Sequence, residues 1–346
     1  MLLKCLGFCH SKDTSASKGQ YPTVIEELCH HFSPADLRKS TNNFDENQLI
    51  GRGGFGSVYK GCLKHNGVSD YTVALKRSYR NNYGEFVNYG EFKNEIELLC
   101  QLRHANLVSL IGFCNLKHEK IIVYDYIPNG TFHDHLHDRD RDTLSWKKRL
   151  EICIGAACGV HYLHTGAKRT IIHLDVKPSN ILLDSNMVPK LTDFGLSLQG
   201  QRFMSKPKPI EVDRICGTFG FMAPEYTMYG TVTDKCDVYS FGRLLLEVVL
   251  EKPISSIQSS KPAWENIDPN LKGNIAPECW EVFMDITERC LKEEADERPT
   301  MGEVEVQLEL ALSLQEEADS TTTNGKYTLL SNTIIKLGPE FEDSVI

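Results

Sequence analysis

"IIHLDVKPSNILLDSNMVPKLTDFG", residues 171–195, decides how this chain is read. His173, Asp175, Lys177 and Asn180 fall within eight positions, and Asp193-Phe194-Gly195 follows. An aspartate within reach of a substrate hydroxyl accepts its proton and, above all, orients it. Asn180 and Asp193 supply oxygen ligands of the kind a hard cation such as Mg2+ takes. Leu174, between the histidine and the aspartate, can do neither.

Upstream, the chain supplies partners for such chemistry. "GRGGFGSV" (51–58) carries Gly51, Gly53 and Gly56. A glycine-rich strand–turn–strand lets backbone N–H groups approach phosphates, because no Cβ blocks them. Val58 and a second strand follow the glycines, not a helix, which disfavours a dinucleotide-binding reading. "VALK" (73–76) reads as the next strand, where Lys76 would neutralise phosphate charge and need a carboxylate to hold its ammonium. Beyond Phe92, the spacing of Ile96, Leu99 and Leu102 predicts a helix. Glu95 on that helix is assigned as the partner of Lys76. Glu91 falls in a near-repeat ("NYGEFV", 82–87; "NYGEFK", 88–93), and Glu97 turns onto another face.

With "APE" at 223–225, the motifs stand in an order and in strand, loop and helix contexts that make coincidence negligible. Over residues 45–313 the chain resembles a eukaryotic protein kinase. "FSPADLRKSTNNFDENQLIGRGGFGSVYKG", "LVSLIGFC", "LEICIGAACGVHYLHTG" and "DVYSFG" narrow the likeness to plant receptor-like and receptor-like cytoplasmic kinases, of the Pto and malectin-like receptor type. The resemblance implies an α+β, bilobal fold. A small lobe of antiparallel strands plus one helix (about 45–124) precedes a larger, mainly helical lobe (about 128–313).

It also implies ATP as phosphoryl donor, Mg2+ as cofactor and a protein hydroxyl as acceptor. By the same resemblance Asp175 is the catalytic base, and Lys177 contacts the transferred phosphate and points to serine/threonine specificity. Tyr124 is the gatekeeper, Asp125 to Ile127 the hinge that takes the adenine, and Val58, Ala74 and Leu182 sandwich its ring. Asp237 braces the catalytic-loop backbone, and Glu225 pairs with Arg298 as architecture. Ser205 and Thr218, between "DFG" and "APE", are candidate autophosphorylation sites, Thr218 alternatively shaping the substrate platform.

Three departures from the family pattern stand out. Leu174 replaces the usual arginine, so the chain is of the non-RD kind, and a phosphate on the activation segment has no guanidinium there to pair with. Such kinases are linked to immune signalling. The stretch after Leu250 is compressed to "EKPISSIQSSKPAWEN", which puts inherited partner assignments in doubt. The repeat lengthens the approach to Glu95, and a shift in helix register would cost Lys76 its partner.

Composition sets bounds on the rest. Hydrophobic residues make up 41% and charged residues 25%, so a packed core is expected, and the net charge of −9 argues against a nucleic-acid partner. Twelve cysteines without a CxxC pair, and no secretory signal, lead to the expectation of reduced thiols in the cytoplasm. The best apolar run, "LLLEVVL", is too short to span a bilayer and is broken by Glu247. Residues 1–32 read as a polar segment in which Cys5 and Cys9, beside apolar residues and lysines, are candidates for S-acylation at the plasma membrane; an unmodified terminus is the alternative. A short lead-in helix is expected over 33–44, capped by Ser33 with Pro34 at its first position, and a mobile tail over 314–346. "FHDHLHD" (132–138) puts His133 and His137 on one helical face, but a polar surface helix is preferred to a metal site.

The functional expectation is a serine/threonine kinase acting on protein substrates, with a receptor kinase or an immune partner. A kinase-fold scaffold or decoy is the rival, opposed by the retention of Lys76, Glu95, Asp175, Asn180 and Asp193.

Overall fold

Alternating apolar and polar residues build a six-stranded sheet in the first part of the chain. The computed structural model describes residues 29–54, 56–65, 69–81, 85–86, 88–138, 140–200, 208–256, 267–321 and 327. Cys5, Cys9 and Ser205 lie outside them, as do part of the 82–93 repeat and residues 257–266. Strands β1 (His30–His31), β2 (Leu49–Gly53), β3 (Gly56–His65), β4 (Ser69–Ser78), β5 (Leu110–Leu116) and β6 (Glu119–Asp125) lie in the order β1-β5-β6-β4-β3-β2. Neighbours are antiparallel except the two-residue β1, which runs parallel to β5.

Strand periodicity sorts the two faces of the sheet. Val73 and Leu75 are fully buried, while Ala74 and Lys76 point the other way. The buried face packs with Phe44, Tyr59, Cys114, Ile121 and Val123, and with Leu37 from helix α1 (Pro34–Ser40). Ser33 caps α1, its hydroxyl accepting the Asp36 N–H at 3.1 Å. Helix α2 (Tyr89–Leu99) buries Phe92, Ile96, Leu98 and Leu99. It begins at Tyr89, the second residue of the repeat's second copy.

Two compact units result. One holds the described residues up to Leu102 together with Val108–Tyr126; the other holds Arg103–Leu107 and the described residues from Ile127 onward. This division departs from the boundaries drawn along the sequence in three places. His30 and His31 join the sheet although they fall in the segment assigned to 1–32, because Gly112 admits their backbone: a Cβ there would lie 2.2 Å from His30 O. Residues 103–107 leave the first unit, since Asn106 Nδ2 donates to Pro189 O at 3.1 Å and Leu191 N to Asn106 O at 2.8 Å. The last helix continues to Thr321, past 313, because Gln315 is buried and its Oε1 accepts the Ala276 N–H at 2.9 Å.

The second unit is mainly helical: α3 (Phe132–His137), α4 (Trp146–His161), α5 (Pro224–Tyr229), α6 (Asp234–Val249), α7 (Pro277–Cys290) and α8 (Met301–Thr321). Short strand pairs punctuate it, β7 (Ile171–Ile172) with β10 (Leu198–Gln199), and β8 (Ile181–Leu183) with β9 (Pro189–Leu191). Every residue of α6 from Cys236 to Val249 is buried, the signature of a helix enclosed on all sides. On α4 the buried stripe runs through Trp146, Leu150, Cys153, Ala157 and Val160. Ile154, four residues after Leu150, is only half-buried, as four-residue steps overshoot the 3.6-residue turn. Among the described residues no helix is long and apolar enough to cross a membrane.

Candidate active site

In the first unit, sheet register gathers the residues singled out in the sequence. Val58 pairs with Lys76, and Ala74 with Tyr124, so these four share the sheet face opposite the core. Lys76 Nζ lies 2.8 Å from Glu95 Oε2, and the Glu95 side chain is almost completely enclosed. Glu97 pairs with Lys93 instead, at 3.4 Å. At the β2–β3 turn, Gly53 pairs with Gly56. Gly56 is required by packing, since a Cβ would sit 2.2 Å from Arg77 O; a Cβ on Gly53 would meet no atom within 4 Å. The absence of a side chain at Gly53 is therefore not explained by the protein's own packing. Asp125, ending β6, accepts a hydrogen bond from the Tyr71 hydroxyl and donates its N–H to Ser109 O at 3.1 Å.

In the second unit, the loop after β7 is built around Asp175. Asn180 Nδ2 donates to both the carbonyl and the Oδ2 of Asp175, each at 2.8 Å. Lys177 Nζ stands 2.8 Å from Asp175 Oδ2, and Thr218 Oγ1 donates to Asp175 Oδ1 at 2.7 Å. Lys177 also donates to the Thr218 hydroxyl. Asn180 commits its amide N–H groups to Asp175, so the atom it can offer a cation is its carbonyl oxygen. Thr192 N donates to Asn180 O at 2.9 Å, which ties this loop to Asp193 one residue on. Asp193 has a left-handed backbone, φ 70°. Leu182 lies on β8.

The loop backbone hangs on one buried carboxylate. Asp237 accepts the N–H groups of His173 at 2.7 Å and Leu174 at 2.8 Å, and its Oδ2 lies 2.8 Å from His164 Nε2. Leu174 takes φ 68°, an unusual geometry for a side-chain-bearing residue that these two bonds hold in place. Glu225 and Arg298 form a two-pronged pair at 2.7 and 2.8 Å, with the guanidinium fully buried.

The sequence reading missed His164, in "HYLHTG", and the double engagement of Thr218. It also mistook two features. The helix of "FHDHLHD" is not a polar surface helix: Phe132 and Leu136 are buried and the His137 side chain is 7% exposed. Glu247, taken only as a break in an apolar run, is itself buried and faces both His133 and His137.

The family described as protein tyrosine and serine/threonine kinase matches residues 44–308. Among curated relatives, receptor-like protein kinase ANXUR2 of Arabidopsis thaliana is 46% identical over 318 residues, 86% of this chain and 36% of the relative. Receptor-like protein kinase FERONIA of the same plant is 43% identical, over 94% of this chain and 37% of its own length. Receptor-like protein kinase THESEUS 1, also from Arabidopsis, is 42% identical, over 91% of this chain and 39% of the relative. The chain thus spans under two fifths of the length of these relatives.

Proposed function

Because the chain belongs to the protein tyrosine and serine/threonine kinase family, we propose that it transfers the γ-phosphoryl group of ATP to serine or threonine hydroxyls of proteins in plant receptor-type signalling. The observation that carries this reading is the arrangement around Asp175. Its carboxylate is held by Asn180, Lys177 and Thr218, which supports its assignment as the catalytic base.

In the proposed step the substrate oxygen attacks the γ-phosphorus in line, Asp175 takes the hydroxyl proton, and the bond to the ADP oxygen breaks. Lys177 neutralises charge on the phosphoryl group in transit. Lys76, held by Glu95, does the same for the α- and β-phosphates. The backbone at Gly51, Gly53 and Gly56 covers the phosphates, and the room around Gly53 supports that assignment. Val58 and Ala74 contact the adenine, and Tyr124 and Asp125 provide the gatekeeper and hinge. The oxygens of Asn180 and Asp193 suit Mg2+, a hard cation, and are the proposed ligands. When bound, the ion offsets the charge of the phosphates. Serine/threonine preference rests on Lys177.

For the whole protein, a receptor kinase or an immune component is the proposed partner, and S-acylation at Cys5 and Cys9 the proposed attachment to the plasma membrane.

The test is transfer of labelled phosphate from Mg2+–ATP by the purified chain, alongside Lys76→Met and Asp193→Asn. Incorporation well above both variants is the expected result. Label no greater than theirs, on itself or on a generic substrate, would make the chain a non-catalytic scaffold.

A further inference from the structure

We propose that His133, His137 and Glu247 form a binding site for a divalent transition-metal ion of the Zn2+ class. The three side chains come from two helices, the histidines from α3 at i and i+4 and the glutamate from α6. Glu247 Oε1 lies 3.3 Å from His133 Nδ1 and 3.2 Å from His137 Nε2. All three atoms fall within 4.8 Å of one another. Ligands about 2.0 Å from a tetrahedral ion stand roughly 3.3 Å apart. Two edges of the triangle therefore already have coordination spacing.

The supports are fixed as a metal site requires. Glu247 is 2% exposed on a helix buried on every side, and its other oxygen, Oε2, accepts the Ile254 N–H at 3.0 Å. That second hydrogen bond sets the carboxylate plane and leaves Oε1 facing the two rings. His137 Nδ1 is buried without a hydrogen-bond partner among the described residues, so the ring's one polar engagement there is through Nε2 toward Glu247. His133 is 38% exposed, which opens the site to solvent on one side and leaves room for water as a fourth ligand. Two imidazoles and one carboxylate suit Zn2+ and its neighbours better than Mg2+ or Ca2+, which favour all-oxygen sites. On binding, each facing nitrogen gives its lone pair to the ion, and any proton there leaves to solvent.

The consequence is a clip between α3 and α6. Thr131, which caps α3, is bridged to Leu182 on β8, so the clip would steady the strand that carries Leu182. The alternative occupant is a proton, which would leave a hydrogen-bonded His–Glu–His cluster and no metal affinity.

The experiment uses the full chain, stripped with chelator and kept reduced, titrated with Zn2+ by calorimetry and with Co2+ by visible absorption. His133→Ala and His137→Phe are the variants. His133 is partly exposed, so His133→Ala is expected to fold and decides the matter if His137→Phe does not. Free cysteines compete for the ion, but thiolate ligation shows itself in the near-ultraviolet charge-transfer band of Co2+. The expected result is one equivalent bound without thiolate bands in the wild type, weakened by roughly tenfold or more in each variant. Zn2+ should also raise the wild-type unfolding midpoint by more than that of either variant. Equal binding by wild type and His133→Ala, or no binding by the wild type, would overturn the proposal.

Discussion

The backbone N–H of Leu174 donates to Asp237 Oδ1 at 2.8 Å, while the leucine side chain is buried in a cluster with Ile172, Ala223, Tyr226, Val232, Cys236 and Tyr239. Ile210, Val212 and Met222, also from the segment between "DFG" and "APE", pack against the same cluster. Where a guanidinium would need a phosphate partner, this chain has apolar contact. The segment is thus anchored beneath Leu174 without any modification.

Leu174→Arg is therefore expected to destabilise the protein, by about 2–4 kcal/mol, through lost apolar burial and an uncompensated charge. Urea unfolding followed by circular dichroism measures it. Phosphatase treatment of the wild type should leave the phosphoryl-transfer rate unchanged, and a steep fall would mean that another basic residue serves as the switch.

Thr218 separates a structural hydroxyl from a phosphorylation site. Its hydroxyl donates to Asp175 Oδ1 and accepts from Lys177. Thr218→Val keeps the shape and removes both bonds, so kcat should fall about tenfold, the equivalent of one hydrogen bond to a charged group. Thr218→Ser should retain most of the rate. If Thr218→Val proves as active as the wild type, the hydroxyl does not orient Asp175.

Acid sensitivity of the sheet unit centres on Glu119. Burial raises the pKa of its carboxyl, but hydrogen bonds and charge from Arg77 and Arg38 outweigh burial and hold it below the ordinary glutamate value. A depressed folded pKa contributes stability above the unfolded value, about 4.3, and that contribution is lost as pH falls through the folded value. The stability difference between wild type and Glu119→Gln should be constant from neutral pH down to about pH 5 and then shrink. Urea melts across that range would show it, and a pH-independent difference would contradict it.

Among the described residues, the buried cysteines are expected to be inert and the exposed Cys62 reactive. Burial raises the thiols of Cys153 and Cys236, pushes Cys290 up to about 12 and Cys279 to about 11. At about pH 8 these four remain protonated, whereas Cys62 is exposed. Iodoacetamide labelling read by peptide mass spectrometry should therefore mark Cys62 in the native chain and the other four only after unfolding.

The order of motifs, the alternation that makes the sheet and the Lys76–Glu95 pairing were legible along the chain because each rests on local spacing. A strand places Lys76 and Ala74 on one face by its period of two, and a helix sets Glu95 apart from Glu97 by its period of 3.6 residues. What the linear pattern could not carry is contact between distant segments. Nothing near Gly112 announces that His30 will lie against it, and nothing near Asn106 announces Pro189. Leu174 reads in sequence as a missing arginine; only the packing from Ile172 to Tyr239 shows what stands in its place. Glu247 shows the same limit most sharply. A carboxylate inside an apolar helix is an interruption in one dimension, and it becomes the centre of a three-residue cluster only once α6 brings it against His133 and His137. Local periodicity determined the elements, and burial, which depends on every element at once, decided which of their polar residues would meet.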